Sequence, residues 1–320
     1  MIAGAARRLL LGVADSERIR ARVVGTPATR AVVDRYVAGD SASDAVRVAR
    51  ALRADGLLVS LDYLGEDTTD AERAAATVSE YVQLLGQLAA EGLSDGGAVE
   101  VSVKPTAVGL LLGAEGGGPS ALGEKIATEH IEKIAIAARD AGTTVTLDAE
   151  DHKTTEAGLR IAAALRSRLP QVGSVVQASL RRTEADVRAL AAPGTRMRLC
   201  KGAYAEPVSE AFAAAHDVDK SFARCLRILM SGPGYPMIAT HDPRLIAITR
   251  SLSLNRGPDS FEYQMLYGIR PDEQRRLAAS GARMRVYVPY GSDWYRYLVR
   301  RLAEQPANLA FFLRSLSSLP

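Results

Sequence analysis

The chain has 320 residues and a formal net charge of +3, and 47% of its residues are hydrophobic. Such a chain can bury the core of one large globular domain, while its low charge and 5% aromatic content exclude the basic, aromatic-rich surface of a nucleic-acid-binding protein. Cys200 and Cys225 are the only cysteines, which excludes a disulfide framework and a cysteine zinc site and indicates a reducing, cytoplasmic compartment.

The first 55 residues predict a helical arm. Pro27–Val37 and Asp44–Ala54 have helical patterns, and Gly39-Asp40-Ser41 separates them. This region does not share the strand-rich pattern of the rest of the chain. We therefore predict two units, an N-terminal helical arm at residues 1–55 and a catalytic unit at residues 56–320.

From residue 56 onwards, short β-rich apolar runs alternate with longer helical patterns. The predicted strands are Leu57–Tyr63, Val99–Lys104, Thr143–Asp148, Ser174–Ala178, Met197–Cys200, Met237–His241, Ser260–Gln264 and Met284–Val288. The predicted helices between them are Asp70–Glu91, Ser120–Asp140, Thr154–Ser167, Thr183–Ala192, Asp217–Met230, Pro243–Leu254 and Pro271–Ala279. This alternation predicts an α/β fold with a parallel sheet, of which a closed (β/α)8 barrel is the simplest form and a doubly wound open sheet the alternative.

The last predicted strand leads through a tight turn into a helix that carries two adjacent arginines. On that helix Tyr297, Arg300 and Arg301 occupy positions i, i+3 and i+4 and so share one face. Two neighbouring guanidinium groups beside an aromatic ring are suited to hold a planar anion such as a carboxylate. The alternative is a solvated basic surface next to an apolar stripe.

Polar side chains recur at the ends of seven predicted strands. In a (β/α)8 barrel these ends meet at the face where active sites lie. Each residue also has a purely structural explanation: Lys104 and Asp148 could form a salt bridge, and His241 could be a hydrogen-bonded core histidine. Their recurrence at equivalent places favours a common site. The residues are Lys104, Asp148, Gln177, Arg198, Lys201, His241, Glu262, Gln264 and Tyr287.

The sequence patterns of several common sites are missing. No G-x-G-x-x-G follows a predicted strand, and Glu124 stands where a phosphate loop would need lysine. There is no H-E-x-x-H and no nucleophile elbow. The acidic segment Asp148–His152 could suggest a metal, but it also reads as a helix-capping turn, and we predict no metal site. Any nucleotide cofactor is therefore held without a Rossmann loop.

Several blocks closely resemble the proline dehydrogenase family in its monofunctional bacterial type. They cover roughly residues 55 to 310 and fall in order on successive predicted strands. The blocks are Val101–Pro105, Thr146–Glu150, Arg198–Tyr204, Ile238–Asp242, Phe261–Gly268 and Arg285–Arg301. The resemblance implies a distorted (β/α)8 TIM-type barrel with noncovalent FAD. It also implies oxidation of L-proline to Δ1-pyrroline-5-carboxylate, the first step of proline catabolism to glutamate, with electrons passed to a quinone.

The resemblance also implies roles for individual residues. Asp148 and Arg198 are the implied catalytic residues, with Asp148 paired to Lys104 and Arg198 near the flavin N5 atom. The residues implied for the substrate are Lys104, Arg300 and Arg301 around its carboxylate and Leu266, Tyr287 and Tyr297 around its ring. The residues implied for the cofactor are Ala149, Gln177, Arg198, Lys201, Gly202, Ala203, Tyr204, Thr240 and His241.

The implied electron acceptor is a membrane quinone, and no nucleic acid is expected as a partner. A pyrroline-5-carboxylate dehydrogenase would be a separate chain, and whether it docks on this protein is left open by the sequence. The sequence lacks an apolar run long enough to span a bilayer. We therefore expect a cytoplasmic protein with a peripheral contact at the inner membrane face, for which Arg7–Leu11 is the candidate segment. Two other functions remain open on the residues: a Schiff-base aldolase or lyase using Lys104 or Lys201, and a non-catalytic scaffold barrel.

Overall fold

A closed parallel barrel forms the centre of the molecule. The computed structural model describes residues 33–114, 116–295 and 297–298. Its eight strands pair in chain order, and the eighth pairs with the first. This closure confirms the (β/α)8 prediction and excludes the open sheet. The strands are β1 Leu58–Tyr63, β2 Val99–Val103, β3 Val145–Leu147, β4 Val172–Gln177, β5 Arg196–Cys200, β6 Tyr235–Ala239, β7 Glu262–Leu266 and β8 Met284–Tyr290.

Helices in the described part of the chain surround the barrel, and several begin at the capping residues that the sequence provides. Asp70 accepts hydrogen bonds from two backbone N–H groups at the start of its helix, and Asp151 accepts one from Thr154. The acidic segment before Thr154 is therefore a helix cap in part. The helices are α1 Ala42–Ala54, α2 Ala71–Ala90, α3 Ala121–Asp140, α4 His152–Arg166, α5 Thr183–Leu190, α6 Ala215–Ser231, α7 Pro243–Leu252 and α8 Pro271–Ala279.

The strands are buried on both faces, but the two faces differ in chemistry. In β1, Val59 and Leu61 face away from Ser60 and Asp62, and all four residues are fully buried. The apolar outer face packs against helices such as α2, whose Tyr81 and Leu84 are also fully buried. The hydrophobic core therefore lies between the sheet and the helices, and the interior of the barrel is polar.

A buried ion network fills the end of the barrel from which the strands start. The Arg285 guanidinium donates to Glu262 Oε1 over 2.7 Å and to the backbone oxygen of Val59 over 2.7 Å. Burial opposes its charge, but Glu100 and Glu262 together raise the pKa of Arg285 above its ordinary value. Glu262, the first residue of β7, therefore lies at this amino-terminal end of the barrel, which the ion network closes. Its predicted place at the carboxyl end of the strand is wrong. The turn closed by Ser260 N–H and Gly257 O delays the start of β7 by two residues.

The described part of the arm packs on the barrel. Helix α1 agrees with the predicted helix Asp44–Ala54, and the backbone N–H of Ala38 donates to Pro289 O over 2.9 Å. Val33 and Tyr36 lie in an apolar cluster with Tyr297 and its neighbours. Residues 1–32, which include Arg7–Leu11 and most of the other predicted arm helix, lie outside the described residues. The division at residue 55 stays a prediction.

Candidate active site

A cavity of about 480 Å³ opens at the carboxyl ends of the strands. Every described residue to which the resemblance gives a role lines it, from Lys104 after β2 to Tyr287 in β8. Glu262, the strand-end residue that lies at the opposite end of the barrel, does not line it. Arg300 and Arg301 lie outside the described residues. The predicted residues that line the cavity are Lys104, Asp148, Ala149, Gln177, Arg198, Lys201, Gly202, Ala203, Tyr204, Thr240, His241, Leu266, Tyr287 and Tyr297. Gln264, which we predicted at a strand end, also lines it. The cavity is further lined by residues to which we assigned no role there, namely Asp62, Val175, Cys200, Ala239, Asp242 and Met265.

Arg198 lies at the floor of the cavity with its guanidinium fixed on several sides. It occupies the middle of β5, not its end as predicted, and the residue is 4% exposed. Nη1 donates to Asp148 Oδ1 over 2.6 Å and to Ser102 Oγ over 2.9 Å, and Nε donates to Gln264 Oε1 over 2.6 Å. These charge-assisted bonds hold one cation in one orientation against the cavity.

Asp148 connects Arg198 to Tyr287. The tyrosine hydroxyl donates to Asp148 Oδ2 over 2.6 Å, while the Tyr287 ring lies 5.3 Å from the Arg198 guanidinium carbon. Burial and the adjacent Asp148 carboxylate raise the pKa of Tyr287 well above its ordinary value, so its hydroxyl stays a donor. The Tyr287 ring is thereby held at the cavity wall.

Lys104 has a closer carboxylate partner than the predicted one. Its ammonium lies 2.5 Å from Asp62 Oδ2 and 3.9 Å from Asp148 Oδ2. The predicted contact with Asp148 is present, but Asp62 is the hydrogen-bonded partner. The signal for Asp62 was available in the sequence, because Ser60 and Asp62 alternate with apolar Val59 and Leu61 along a predicted strand.

The loop after β5 depends on a glycine. Gly202 has a φ of +99°, a left-handed conformation that disfavours other residues, and a Cβ there would lie 2.2 Å from Ser179 Oγ. The neighbouring Lys201 ammonium bridges two carboxylates, 2.6 Å from Asp219 Oδ1 and 3.0 Å from Asp242 Oδ2. The loop therefore approaches the wall closely, and its lysine is anchored by the helices that follow β5 and β6.

His241 is oriented by the backbone of β7. Leu266 N–H donates to His241 Nε2 over 3.0 Å, and an N–H group can only donate. Nε2 must therefore carry a lone pair, which places the proton of the neutral ring on Nδ1. The backbone oxygen of His241 accepts a hydrogen bond from Arg270 Nη1 over 2.5 Å.

Glu150 links two loops of the cavity wall. Its carboxyl group accepts from the backbone N–H of Thr106 over 3.0 Å and also bonds the Thr106 hydroxyl, while its backbone oxygen accepts from Gln177 Nε2 over 2.7 Å. Burial raises the pKa of Glu150 to about 8, against the effect of the Thr106 hydrogen bonds. Among the described residues, no group of histidine, cysteine and carboxylate side chains could hold a metal ion.

The comparison with known protein families identifies the family of this chain. The sequence model described as proline dehydrogenase matches residues 45–314 of the chain. The chain belongs to the proline dehydrogenase family. It is 37% identical over 290 residues to proline dehydrogenase 1 of Bacillus subtilis strain 168, covering 90% of this chain and 91% of that protein. It is 35% identical over 289 residues to proline dehydrogenase of Deinococcus radiodurans, covering 89% of this chain and 90% of that protein.

A solved structure agrees with the family membership. Proline utilization A (PutA) from Bdellovibrio bacteriovorus, inactivated by N-propargylglycine, superposes with a TM-score of 0.79 at 25% identity. The match covers 88% of this chain and 33% of that one, so this chain corresponds to about a third of the longer protein. The matches to the Bacillus and Deinococcus proline dehydrogenases extend over nearly their whole length, as expected for the monofunctional type.

Proposed function

We propose that this member of the proline dehydrogenase family oxidises L-proline to Δ1-pyrroline-5-carboxylate with noncovalently bound FAD and passes the electrons to a membrane quinone. The observation that carries the proposal is the convergence of Arg198, Asp148 and Lys104 on one cavity at the carboxyl ends of the strands. FAD supplies a hydride acceptor when it is bound. The remaining roles belong to residues of the chain.

The cavity has features that suit a flavin. Gly202 lets the loop Lys201–Tyr204 approach the wall where a larger side chain would collide, which leaves room for a flat ligand against the loop. Gln177 and Thr240 line the same space and offer polar groups to a ring system. Arg198 is a buried cation at the cavity floor, where it would stabilise negative charge on a bound ring.

The substrate would be oriented by its carboxylate. Lys104 provides one cation from the end of β2, and the sequence pattern of Arg300 and Arg301 provides two more. Three cations restrict where the carboxylate can lie and therefore which ring carbon faces the cofactor. Tyr287, Tyr297 and Leu266 offer apolar surface to the proline ring. The cations also lower the pKa of the substrate amine and favour its neutral, reactive form.

The two other functions are not favoured by the site. A Schiff-base lysine must be neutral to attack a carbonyl, yet burial of Lys104 is outweighed by Asp62 and Asp148, which raise its pKa. Lys201 is likewise held by two carboxylates. A scaffold barrel does not require charged groups to be buried around a cavity, where they cost stability.

The proposed setting is cytoplasmic, with a peripheral membrane contact for quinone reduction and a separate pyrroline-5-carboxylate dehydrogenase for the product. Within the described residues, no helix is long and apolar enough to cross a membrane. A liposome-binding assay before and after deletion of residues 1–15 tests the peripheral contact. Binding that is unchanged by the deletion contradicts the assignment of Arg7–Leu11.

The cofactor and the reaction are tested together in a spectroscopic experiment. The purified protein should absorb as a flavoprotein, and acid precipitation should release FAD into the supernatant. Under anaerobic conditions L-proline should bleach the flavin, whereas L-valine, which has the same number of carbons but a primary amine, should bleach it far more slowly. Release of FMN, of NAD or of no cofactor contradicts the proposal, as does equal bleaching by both amino acids.

A further inference from the structure

Asp62 is a fully buried carboxylate in the cavity wall. Its Oδ2 lies 2.5 Å from Lys104 Nζ, and both residues border the cavity. Its other oxygen, Oδ1, is buried and has no hydrogen-bond partner among residues 33–114, 116–295 and 297–298. A buried carboxylate oxygen without a partner costs stability. Burial also raises the pKa of the Asp62 carboxyl group, and Lys104 is the strongest influence against this rise. The placement of this carboxyl group beside a lysine therefore points to a use beyond packing.

The groups around Lys104 indicate what the Asp62 carboxylate does. Burial alone would favour loss of the lysine proton. The charged and titratable groups that face Lys104 are Asp62 from β1, Glu66 from the loop after β1, Asp148 from the end of β3 and Glu150 from the loop after β3.

These groups do not act equally on Lys104. Asp148 lies 3.9 Å away and also accepts hydrogen bonds from Arg198 and Tyr287. Glu150 is bonded to Thr106, and burial raises its pKa to about 8, which favours its neutral form. Asp62 is thus the direct partner of the lysine within the described part of the chain.

We propose that Asp62 is a positioning residue that keeps Lys104 protonated and directed into the cavity, so that Lys104 can bind the substrate carboxylate. This inference rests on the proposed function for the identity of the substrate. Asp62 acts through Lys104 and does not itself contact the reacting atoms. The neighbouring inward residue of the same strand, Ser60, has a different partner, Arg198 Nη2 at 3.4 Å.

The first test is the pH dependence of KM in wild type and in Asp62→Asn. The Asp62 carboxylate raises the pKa of Lys104, so wild-type KM for proline should show no rise from lysine deprotonation between pH 7 and pH 9. The variant lacks the negative charge, so Lys104 should lose its proton at lower pH and KM should rise up to about tenfold per pH unit above the new pKa. The kcat should change much less than KM, and prolinamide, which lacks the carboxylate, should show no such rise in KM.

The second test measures the titration of the Lys104 ammonium group directly, without substrate turnover. The sequence has six lysines, so ¹⁵N-lysine labelling should give a small set of Nζ signals, and the Lys104→Met variant identifies that of Lys104. The Lys104 signal should titrate at lower pH in Asp62→Asn than in wild type and should return toward the wild-type value in Asp62→Glu. A Lys104 titration that is identical in wild type and Asp62→Asn overturns the inference.

A double-mutant cycle covers the case in which Asp62→Asn folds poorly. The double variant Asp62→Asn, Lys104→Met leaves neither charge of the pair buried alone, and thermal unfolding checks its fold. It should have the same KM for proline as Lys104→Met, because Asp62 acts only through the lysine. A further increase of several-fold in KM overturns the inference. Absence of proline oxidation in wild type would instead contradict the proposed function, and the lysine titration would still decide the role of Asp62.

Discussion

Arg198 and Asp148 are 50 positions apart in the chain, and the guanidinium of one donates to the carboxylate of the other over 2.6 Å inside the barrel. The contact joins β5 to the end of β3 across β4. It fixes a cation at the cavity floor, and it keeps that cation from moving toward a bound substrate. The first prediction concerns the use of this fixed charge.

Arg198→Met should lower kcat strongly and should lower the flavin midpoint potential by on the order of 30 mV or more, because a nearby cation stabilises the reduced, anionic ring. Arg196→Met is the matched control, because Arg196 lies on the same strand and pairs with Glu100 but does not line the cavity. Spectroelectrochemical titration measures both potentials. A normal potential in Arg198→Met with only a raised KM would show that Arg198 binds substrate instead.

Asp148→Asn should slow turnover while leaving the cofactor bound. The change removes a charged partner of Arg198, and hydrogen bonds to charged groups are worth about 1.5–3 kcal/mol. We therefore expect kcat/KM to fall by roughly tenfold to a hundredfold. Steady-state kinetics and the FAD content of the purified variant are the two measurements. Full activity in Asp148→Asn contradicts the assigned role.

Gly202→Ala should reduce FAD occupancy. The added Cβ would lie 2.2 Å from Ser179 Oγ, and the φ of +99° disfavours alanine even if the serine moves. The flavin-to-protein absorbance ratio should fall several-fold, and Ser179→Ala in the same chain should restore it only in part. Gly257→Ala is the control, because a Cβ there meets nothing within 4 Å. Equal flavin content in Gly202→Ala and Gly257→Ala would remove the loop from the proposed cofactor site.

Ionisation of Glu150 should lower the free energy of unfolding of the protein as the pH rises. Its pKa is raised from 4.5 to about 8 by burial, so its contribution to stability is full below the unfolded value and is lost progressively up to about pH 8. Glu150→Gln imitates the protonated form and should remove this loss. Between pH 6 and pH 9, Tm should fall by roughly 5 °C more in wild type than in the variant.

The control for this pH effect is Glu124→Gln. Its half-buried carboxylate is paired with Arg160, and the hydrogen bond from that arginine lowers the pKa of Glu124. The stabilisation from the Glu124 carboxylate is therefore lost only at acid pH. Between pH 6 and pH 9, the Tm of Glu124→Gln should change with pH as the wild-type Tm does. A wild-type protein and a Glu150→Gln variant with parallel Tm curves would contradict the prediction for Glu150.

The proposed binding of the substrate carboxylate by Arg300 and Arg301 is tested by comparing proline with prolinamide. Either arginine changed to alanine should lower kcat/KM for proline roughly tenfold to a hundredfold or more. Lysine should not rescue the loss, because it cannot form a two-pronged contact with a carboxylate. Prolinamide should be a poor substrate for wild type and should lose little more in the variants. If the substitutions lower kcat/KM for proline and for prolinamide by the same factor, the two arginines do not bind the carboxylate.

The sequence by itself determined the architecture of this protein, because strand and helix patterns are local. Eight β-rich runs separated by helical segments predicted eight strands, and the structure has all eight. The predicted and observed bounds differ where a turn precedes a β-rich run, as at Ser260 before β7. The site residues followed from motifs that the resemblance to a family made recognisable, and all those within the described residues line one cavity.

Only the tertiary structure decided which charges pair inside the barrel. Lys104 and Asp62 are 42 positions apart, and Lys104 and Asp148 also lie within reach of each other. Both pairings are compatible with the sequence, since each carboxylate is near the end of a strand that neighbours β2. The register of β1 against β2, which sets Asp62 beside Ser102, brings one oxygen to the lysine. Contacts of this kind depend on the closure and register of the barrel, and a local pattern does not encode them.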